Sequence, residues 1–164
     1  MRILVGTDDG LHVIRWIEGE RSGRTAEKHF EGRQVYRLAA TDRRIWAVVP
    51  EEGLFYSGDG GGSWERVLDR LDGAQVRALA VSPSDPSVVY AGTEPPGLYV
   101  TRDDGQSWEE IPAFRELGAR ESWRDYGKRS AHVETIACDP NDPRRLYVGV
   151  EIGGAYRTDD GGQS

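Results

Sequence analysis

Two stretches of eight residues, Ser57-Gly58-Asp59-Gly60-Gly61-Gly62-Ser63-Trp64 and Thr101-Arg102-Asp103-Asp104-Gly105-Gln106-Ser107-Trp108, share the pattern Ser/Thr-x-Asp-x-Gly-x-Ser-Trp. A third, Thr158-Asp159-Asp160-Gly161-Gly162-Gln163-Ser164, matches it as far as the Ser. The residue types describe a tight turn. A short carboxylate at Asp59, Asp103 or Asp160 accepts hydrogen bonds from several backbone N–H groups that a turn exposes. Gly61, Gly105 and Gly162 tolerate positive φ. The hydroxyls of Ser57, Thr101 and Thr158, and of Ser63, Ser107 and Ser164, close the turn locally. Trp64 and Trp108 are expected to bury their large apolar rings.

Outward from each turn the similarity continues. Upstream lie Gly53-Leu54-Phe55-Tyr56, Gly97-Leu98-Tyr99-Val100 and Gly154-Ala155-Tyr156-Arg157. Before those come Ile45-Trp46-Ala47-Val48-Val49, Val88-Val89-Tyr90-Ala91-Gly92 and Leu146-Tyr147-Val148-Gly149-Val150, and before those Arg37-Leu38-Ala39-Ala40, Ala78-Leu79-Ala80-Val81 and Thr135-Ile136-Ala137-Cys138. Thr101 follows Ser57 by 44 residues, and Thr158 follows Thr101 by 57. Short runs of Val, Ile, Leu, Tyr and Trp between Gly, Pro and Asp turns read as strands. Four strands in about 44 residues is the size of one β-propeller blade. With strands A to D counted from axis to rim, blade one is expected at 35–68, blade two at 76–111 and blade three at 133–164 without its last strand. Residues 3–7, 10–14 and 25–30 read as strands B, C and D of an incomplete leading blade within 1–34. The fold expected is all-β, about three and a half propeller blades. It is read either as part of a longer propeller or as half of a ring closed by a homodimer.

The repeated turn resembles the Asp-box of the BNR repeat proteins, which include sialidases, two-propeller xyloglucan-active glucanases, sortilin-type receptors and a photosystem II assembly factor. The run Ala80-Val81-Ser82-Pro83-Ser84-Asp85-Pro86-Ser87-Val88-Val89-Tyr90-Ala91-Gly92-Thr93 is most similar to the last three kinds. The resemblance implies that the box is a structural turn between strands C and D, and that ligands meet the opposite face, where the B–C and D–A loops lie. It does not extend to the sialidase site: no Arg-Ile-Pro or Arg-Leu-Pro segment occurs.

Composition narrows the remaining classes. Apolar residues make up 37% of the 164, while 21 are Gly, which favours many short turns over a helical bundle. A formal charge of −7 disfavours sequence-independent nucleic-acid binding. No apolar run is long enough for a membrane span. The early charges do not read as a secretory leader, so the cytoplasm is the expected compartment. The lone Cys138 excludes an intramolecular disulfide and a cysteine zinc cluster, and His12, His29 and His132 are too scattered for a metal site. The twelve-residue calcium loop with its closing Glu is missing, and no Lys-Ser/Thr follows the Gly-rich turn, so neither calcium nor phosphate binding is expected. No cofactor is expected.

Candidate chemistry sits in the B–C loops, which carry Asp8-Asp9, Glu51-Glu52, Glu94 and Glu151, and in an inserted D–A loop at 112–132. Glu94 and Glu151 occupy similar places in successive blades and are the weak catalytic pair for glycoside hydrolysis, which needs two carboxyls flanking one bond. The insertion offers Trp123, Arg124, Tyr126 and Arg129, residue types that stack on rings and grip anions. His132 and Glu134 share a strand face at the start of strand A, and complete the set of ligand-binding candidates. The functional expectation is a non-catalytic scaffold that binds a protein or carbohydrate ligand on this loop face; the alternative is a glycoside hydrolase-like propeller with an incomplete catalytic set.

Overall fold

In a computed structural model of the chain, the structure describes all residues except 17, 18, 20–23, 42, 43, 69, 70, 72, 118–122 and 124–130, and the main chain only at 24–26. The chain divides into two compact units, Met1–Asp69 and Arg70–Ser164.

The first unit opens with β1 (Arg2–Thr7), β2 (Gly10–Arg15) and β3 (Arg24–His29), an antiparallel sheet in chain order. It continues with β4 (Arg37–Ala40), β5 (Ile45–Val49), β6 (Gly53–Ser57) and β7 (Glu65–Leu68), again side by side in chain order. In the second unit, β8 (Gln75–Val81), β9 (Val89–Glu94), β10 (Leu98–Thr101) and β11 (Glu109–Glu110) form a four-stranded meander. A single-turn helix, α1 (Pro112–Arg115), leads towards β12 (Val133–Cys138), β13 (Leu146–Val150) and β14 (Gly154–Thr158), a three-stranded meander. All pairs are antiparallel, as short hairpin connections require.

The inner strands of the full sheets are the most deeply buried. Trp46, Ala47, Val48 and Val49 of β5, and Val89 through Thr93 of β9, are buried residue after residue. Such continuous apolar runs suit a strand covered on both faces. The core of the first unit gathers Leu11, Val35, Ala47 and Val49, with Phe30, Phe55 and Trp64 against it. That of the second is larger and includes Tyr90, Leu98, Ile111, Phe114, Val133 and Leu146. Within it β12 lies close against β8 and β9. The approach is so tight at Gly92 that a Cβ there would stand 2.3 Å from Val133 Cγ1.

The three Asp turns are superimposable in their bonding. Asp59 Oδ1 accepts from Ser57 Oγ at 2.8 Å and from the N–H groups of Gly62 and Ser63 at 2.9 Å each, while Oδ2 accepts from Ser63 Oγ at 2.7 Å. Asp103 takes Thr101 Oγ1 at 2.7 Å, Ser107 N–H at 2.9 Å and Ser107 Oγ at 2.6 Å. Asp160 takes Thr158 Oγ1 at 2.6 Å, Ser164 N–H at 3.1 Å and Ser164 Oγ at 2.5 Å. In each turn the first hydroxyl in turn accepts the N–H of Gly61, Gly105 or Gly162, whose φ is 96°, 89° and 88°. Hydrogen bonds to the ionised form hold all three carboxyls below their ordinary range, Asp103 at about 2 through Ser107 and Thr101.

Two expectations are corrected here. Trp64 and Trp108 are half-buried, not fully so. Trp64 meets Phe30 in an edge-to-face contact, with ring centroids 5.4 Å apart, and donates its Nε1–H to Gly61 O at 3.3 Å. The inserted segment is not all surface loop either. Phe114 of α1 and Trp123 are 4% and 6% exposed and belong to the core of the second unit.

Candidate functional site

The first strands of the two sheets in the second unit are interrupted at equivalent places. The register of β8 on β9 shifts between Val76 and Ala78, and that of β12 on β13 between Val133 and Thr135. A bulge leaves one residue outside the ladder and re-aims its side chain. The residues released are Arg77 and Glu134. Arg77 turns onto the loop acid of its own sheet: its Nε donates to Glu94 Oε2 at 2.7 Å, and Nη2 reaches the same oxygen. Glu134 turns onto His132, with Oε2 2.8 Å from Nε2.

His132 has a second carboxylate on its other nitrogen. Nδ1 lies 3.0 Å from Glu151 Oε2, and the backbone joins the same two residues, Glu151 N–H donating to His132 O at 2.9 Å. The imidazole is thus clamped between two carboxylates. Its side chain is 14% exposed, against 48% for Glu134 and 40% for Glu151. A buried ring fixes the pair, and the oxygens face solvent. Each carboxylate offers about four lone-pair sites, more than one ring N–H fills. The arrangement therefore presents hydrogen-bond acceptors to a donor-rich ligand.

The loop acids of the first unit are treated the same way. Asp9 holds Lys28 Nζ at 2.8 Å and the Gly32 N–H at 3.1 Å, contacts that lower its carboxyl, with the lysine bond the larger cause. Asp8 accepts from Gln34 at 2.7 Å, and Glu52 pairs with Arg33.

Of the candidates read from the sequence, the structure unites His132, Glu134 and Glu151. Glu94 is bound to Arg77 instead. Trp123 is displaced from the ligand-facing role expected of it. Its Nε1–H donates to Tyr156 Oη at 3.2 Å, Tyr156 Oη donates to Gly153 O at 2.8 Å, and Phe114 and Tyr156 flank the indole at 5.7 and 5.5 Å. A buried Trp needs such a partner for its N–H, and the ring is a packing element under the loop that carries Glu151. Arg124, Tyr126 and Arg129 lie outside the described residues. Cys138 packs against the core, and burial pushes its thiol up to about 11, away from nucleophilic chemistry. Among the described residues no cluster of three or more His, Cys, Asp and Glu has the form of a metal site, and no helix is long and apolar enough to cross a membrane.

The sequence reading missed Arg77. Its signal was available: aligned by the repeat, Arg77 and Glu134 fall at the same position of their strands, opposite the loop acids Glu94 and Glu151.

Meanders of three and four antiparallel strands joined by repeated turns define a β-propeller protein, and solved structures agree. The chain is similar to the GH74 xyloglucanase of Xanthomonas campestris, with a TM-score of 0.70 and 20% identity over 99% of this chain and 26% of that one. It is similar also to YCF48 bound to a D1 peptide, with a TM-score of 0.66 and 15% identity over 92% of this chain and 44% of that one. No family model matches the sequence. Among curated proteins it is 34% identical over 73 residues to the oligoxyloglucan-reducing end-specific xyloglucanase of Emericella nidulans. It is 31% identical over 108 residues to xyloglucanase Xgh74A of Acetivibrio thermocellus. These matches span 42% and 58% of the chain but only 9% and 12% of the relatives' own length.

Proposed function

We propose that this chain is a propeller module of the Asp-box repeat kind that binds without catalysis, taking a protein or carbohydrate ligand on the face of the B–C and D–A loops. The observation that carries the reading is the fate of the loop carboxylates. Hydrolysis of a glycoside needs one carboxyl to give a proton and another to stay ionised across the same bond. Here Glu94 is gripped by the Arg77 guanidinium and Glu151 by the His132 imidazole. Carboxylates fixed in this way accept hydrogen bonds from hydroxyls or cationic side chains. The three matching Asp turns support the repeat family, and the lone Cys138 fits the cytoplasm as compartment.

The second reading, a glycoside hydrolase-like propeller with Glu94 and Glu151 as its carboxyl pair, is favoured by the xyloglucanase relatives. A reducing-end assay on xyloglucan, run beside calorimetric titration of xyloglucan oligosaccharides, separates the two. No release of reducing ends is expected, and any oligosaccharide binding should weaken about tenfold in His132→Ala, the size of one lost charge-assisted hydrogen bond. Reducing ends that vanish in Glu94→Gln or Glu151→Gln would establish hydrolysis and end the binding-only reading.

A further inference from the structure

The turn that carries Glu151 is strained. It runs from Val150 to Gly153 and is closed by the Gly153 N–H on Val150 O at 3.0 Å. Its third residue, Ile152, has a φ of 68°, the left-handed conformation that this place in a type II turn reserves for Gly or Asn. Among the described residues, Phe30, Glu51, Asp104 and Ile152 have positive φ without being glycine, and of these Ile152 alone is β-branched. A β-branched residue in that conformation is an outlier that persists only where its surroundings hold it. Ile152 is 52% exposed, so its own side chain brings little packing in return.

The backbone of the turn is held from both ends instead. At one end, the Glu151 N–H donates to His132 O at 2.9 Å, and Glu151 Oε2 lies 3.0 Å from His132 Nδ1. At the other, Gly153 O accepts the Tyr156 hydroxyl at 2.8 Å, and Tyr156 Oη accepts the Trp123 Nε1–H at 3.2 Å. A hydroxyl that accepts one hydrogen bond is polarised to donate a stronger one. Gly153 also rests on the indole, since a Cβ there would stand 2.9 Å from Trp123 Cε2. The corresponding turn of the first unit is Pro50-Glu51-Glu52, with Glu51 at a φ of 67°. There Phe55, which has no hydroxyl, stands where Tyr156 does, and Glu52 stands where Gly153 does. The left-handed residue of that turn is unbranched and has less strain to be held against.

We propose that Tyr156 and Trp123 are positioning residues for the loop-face site. They hold Ile152 in its left-handed conformation, and the turn so held aims Glu151 at His132. The inserted segment thus reaches the site through Trp123, which acts from within the core. That the site receives a ligand rests on the loop-face reading; that the turn is held in this way does not.

Amide exchange of the ligand-free whole chain, followed residue by residue in proton–nitrogen NMR spectra, tests this. In Tyr156→Phe, protection of the Glu151 and Gly153 amides should fall roughly fivefold, the worth of one neutral hydrogen bond, while Tyr90 in β9 keeps its protection. Adding Ile152→Gly should restore the turn, because glycine takes positive φ without strain. Trp123→Phe should loosen the same amides; if it fails to fold, the Tyr156→Phe variants alone decide. Unchanged protection in Tyr156→Phe overturns the proposal. A loss shared equally with Tyr90 overturns it too, and makes Tyr156 a packing residue. So does a loss that Ile152→Gly does not reverse. Calorimetric titration with xyloglucan oligosaccharides tests the loop-face reading separately. Binding that weakens in Tyr156→Phe and returns in the double variant supports both. Failure of the parent chain to bind counts against the carbohydrate arm of that reading, and exchange still decides the positioning.

Discussion

Asp103 shows how one carboxylate organises a turn and ties it to pH. Asp103 accepts hydrogen bonds from the Thr101 hydroxyl and from the N–H and hydroxyl of Ser107, and each of these favours the ionised form. Its folded value of about 2 lies below the ordinary 3.8. The unfolded chain therefore binds the proton first as pH falls, and stability drops with it. The contribution is complete above about pH 4 and is lost as pH falls towards about 2, with Asp59 and Asp160 acting in the same direction. Asp103→Asn should melt at a lower temperature at pH 7, since an amide nitrogen cannot accept the Ser107 hydroxyl. It should also lose less on acidification than the parent. Thermal melts from pH 7 to pH 2 decide this; parallel slopes for parent and variant would mean that the turn's charge is not the source. The roles of these residues were legible in the sequence because all partners lie within four residues of the Asp. Trp123 was not, because its environment is set by Tyr156, 33 residues away.

At the scale of elements, periodicity of Gly-apolar runs located most of the strands, since a hairpin places sequence neighbours side by side. The short helix α1 and the two bulges were not legible. Four helical residues carry no periodicity, and a bulge is a mismatch between two strands, invisible in either alone. Close packing between strands of different sheets is likewise a tertiary fact, and Gly92 is where it bites. Gly92→Ala would bring its new methyl to 2.3 Å from Val133 Cγ1 and 2.5 Å from Val133 Cβ, which cannot stand. The strain should cost about 1–3 kcal/mol. In a double-mutant cycle with Val133→Ala, urea denaturation should show coupling of at least about 0.5 kcal/mol, because the second change removes Cγ1, the nearer of the two obstructing atoms. Additive effects would mean that β12 does not lie against β9 as described.

On the scale of the whole molecule, both units follow one rule: central strands paired on two sides, outer strands on one. The class of fold follows from that rule and was legible from the repeats alone, whereas the clamp on His132 depends on Glu151, 19 residues away, and was visible only as three separate candidates. The rule has a dynamic consequence. Strand β9 is paired by β8 and β10 and buried over Val89–Thr93, so its amides open only with the core. Among the described residues, strand β14 is paired only by β13, and it is half exposed. Exposed backbone bonds at an edge open locally, at free energies well below global unfolding. Hydrogen-exchange mass spectrometry should therefore find residues 154–158 exchanging roughly a hundredfold faster than 89–94, a difference of a few kcal/mol in opening free energy. Equal protection of the two segments would show the edge covered in solution. A dilution series would then name the cover, since protection supplied by a second copy falls with concentration and protection from within one chain does not.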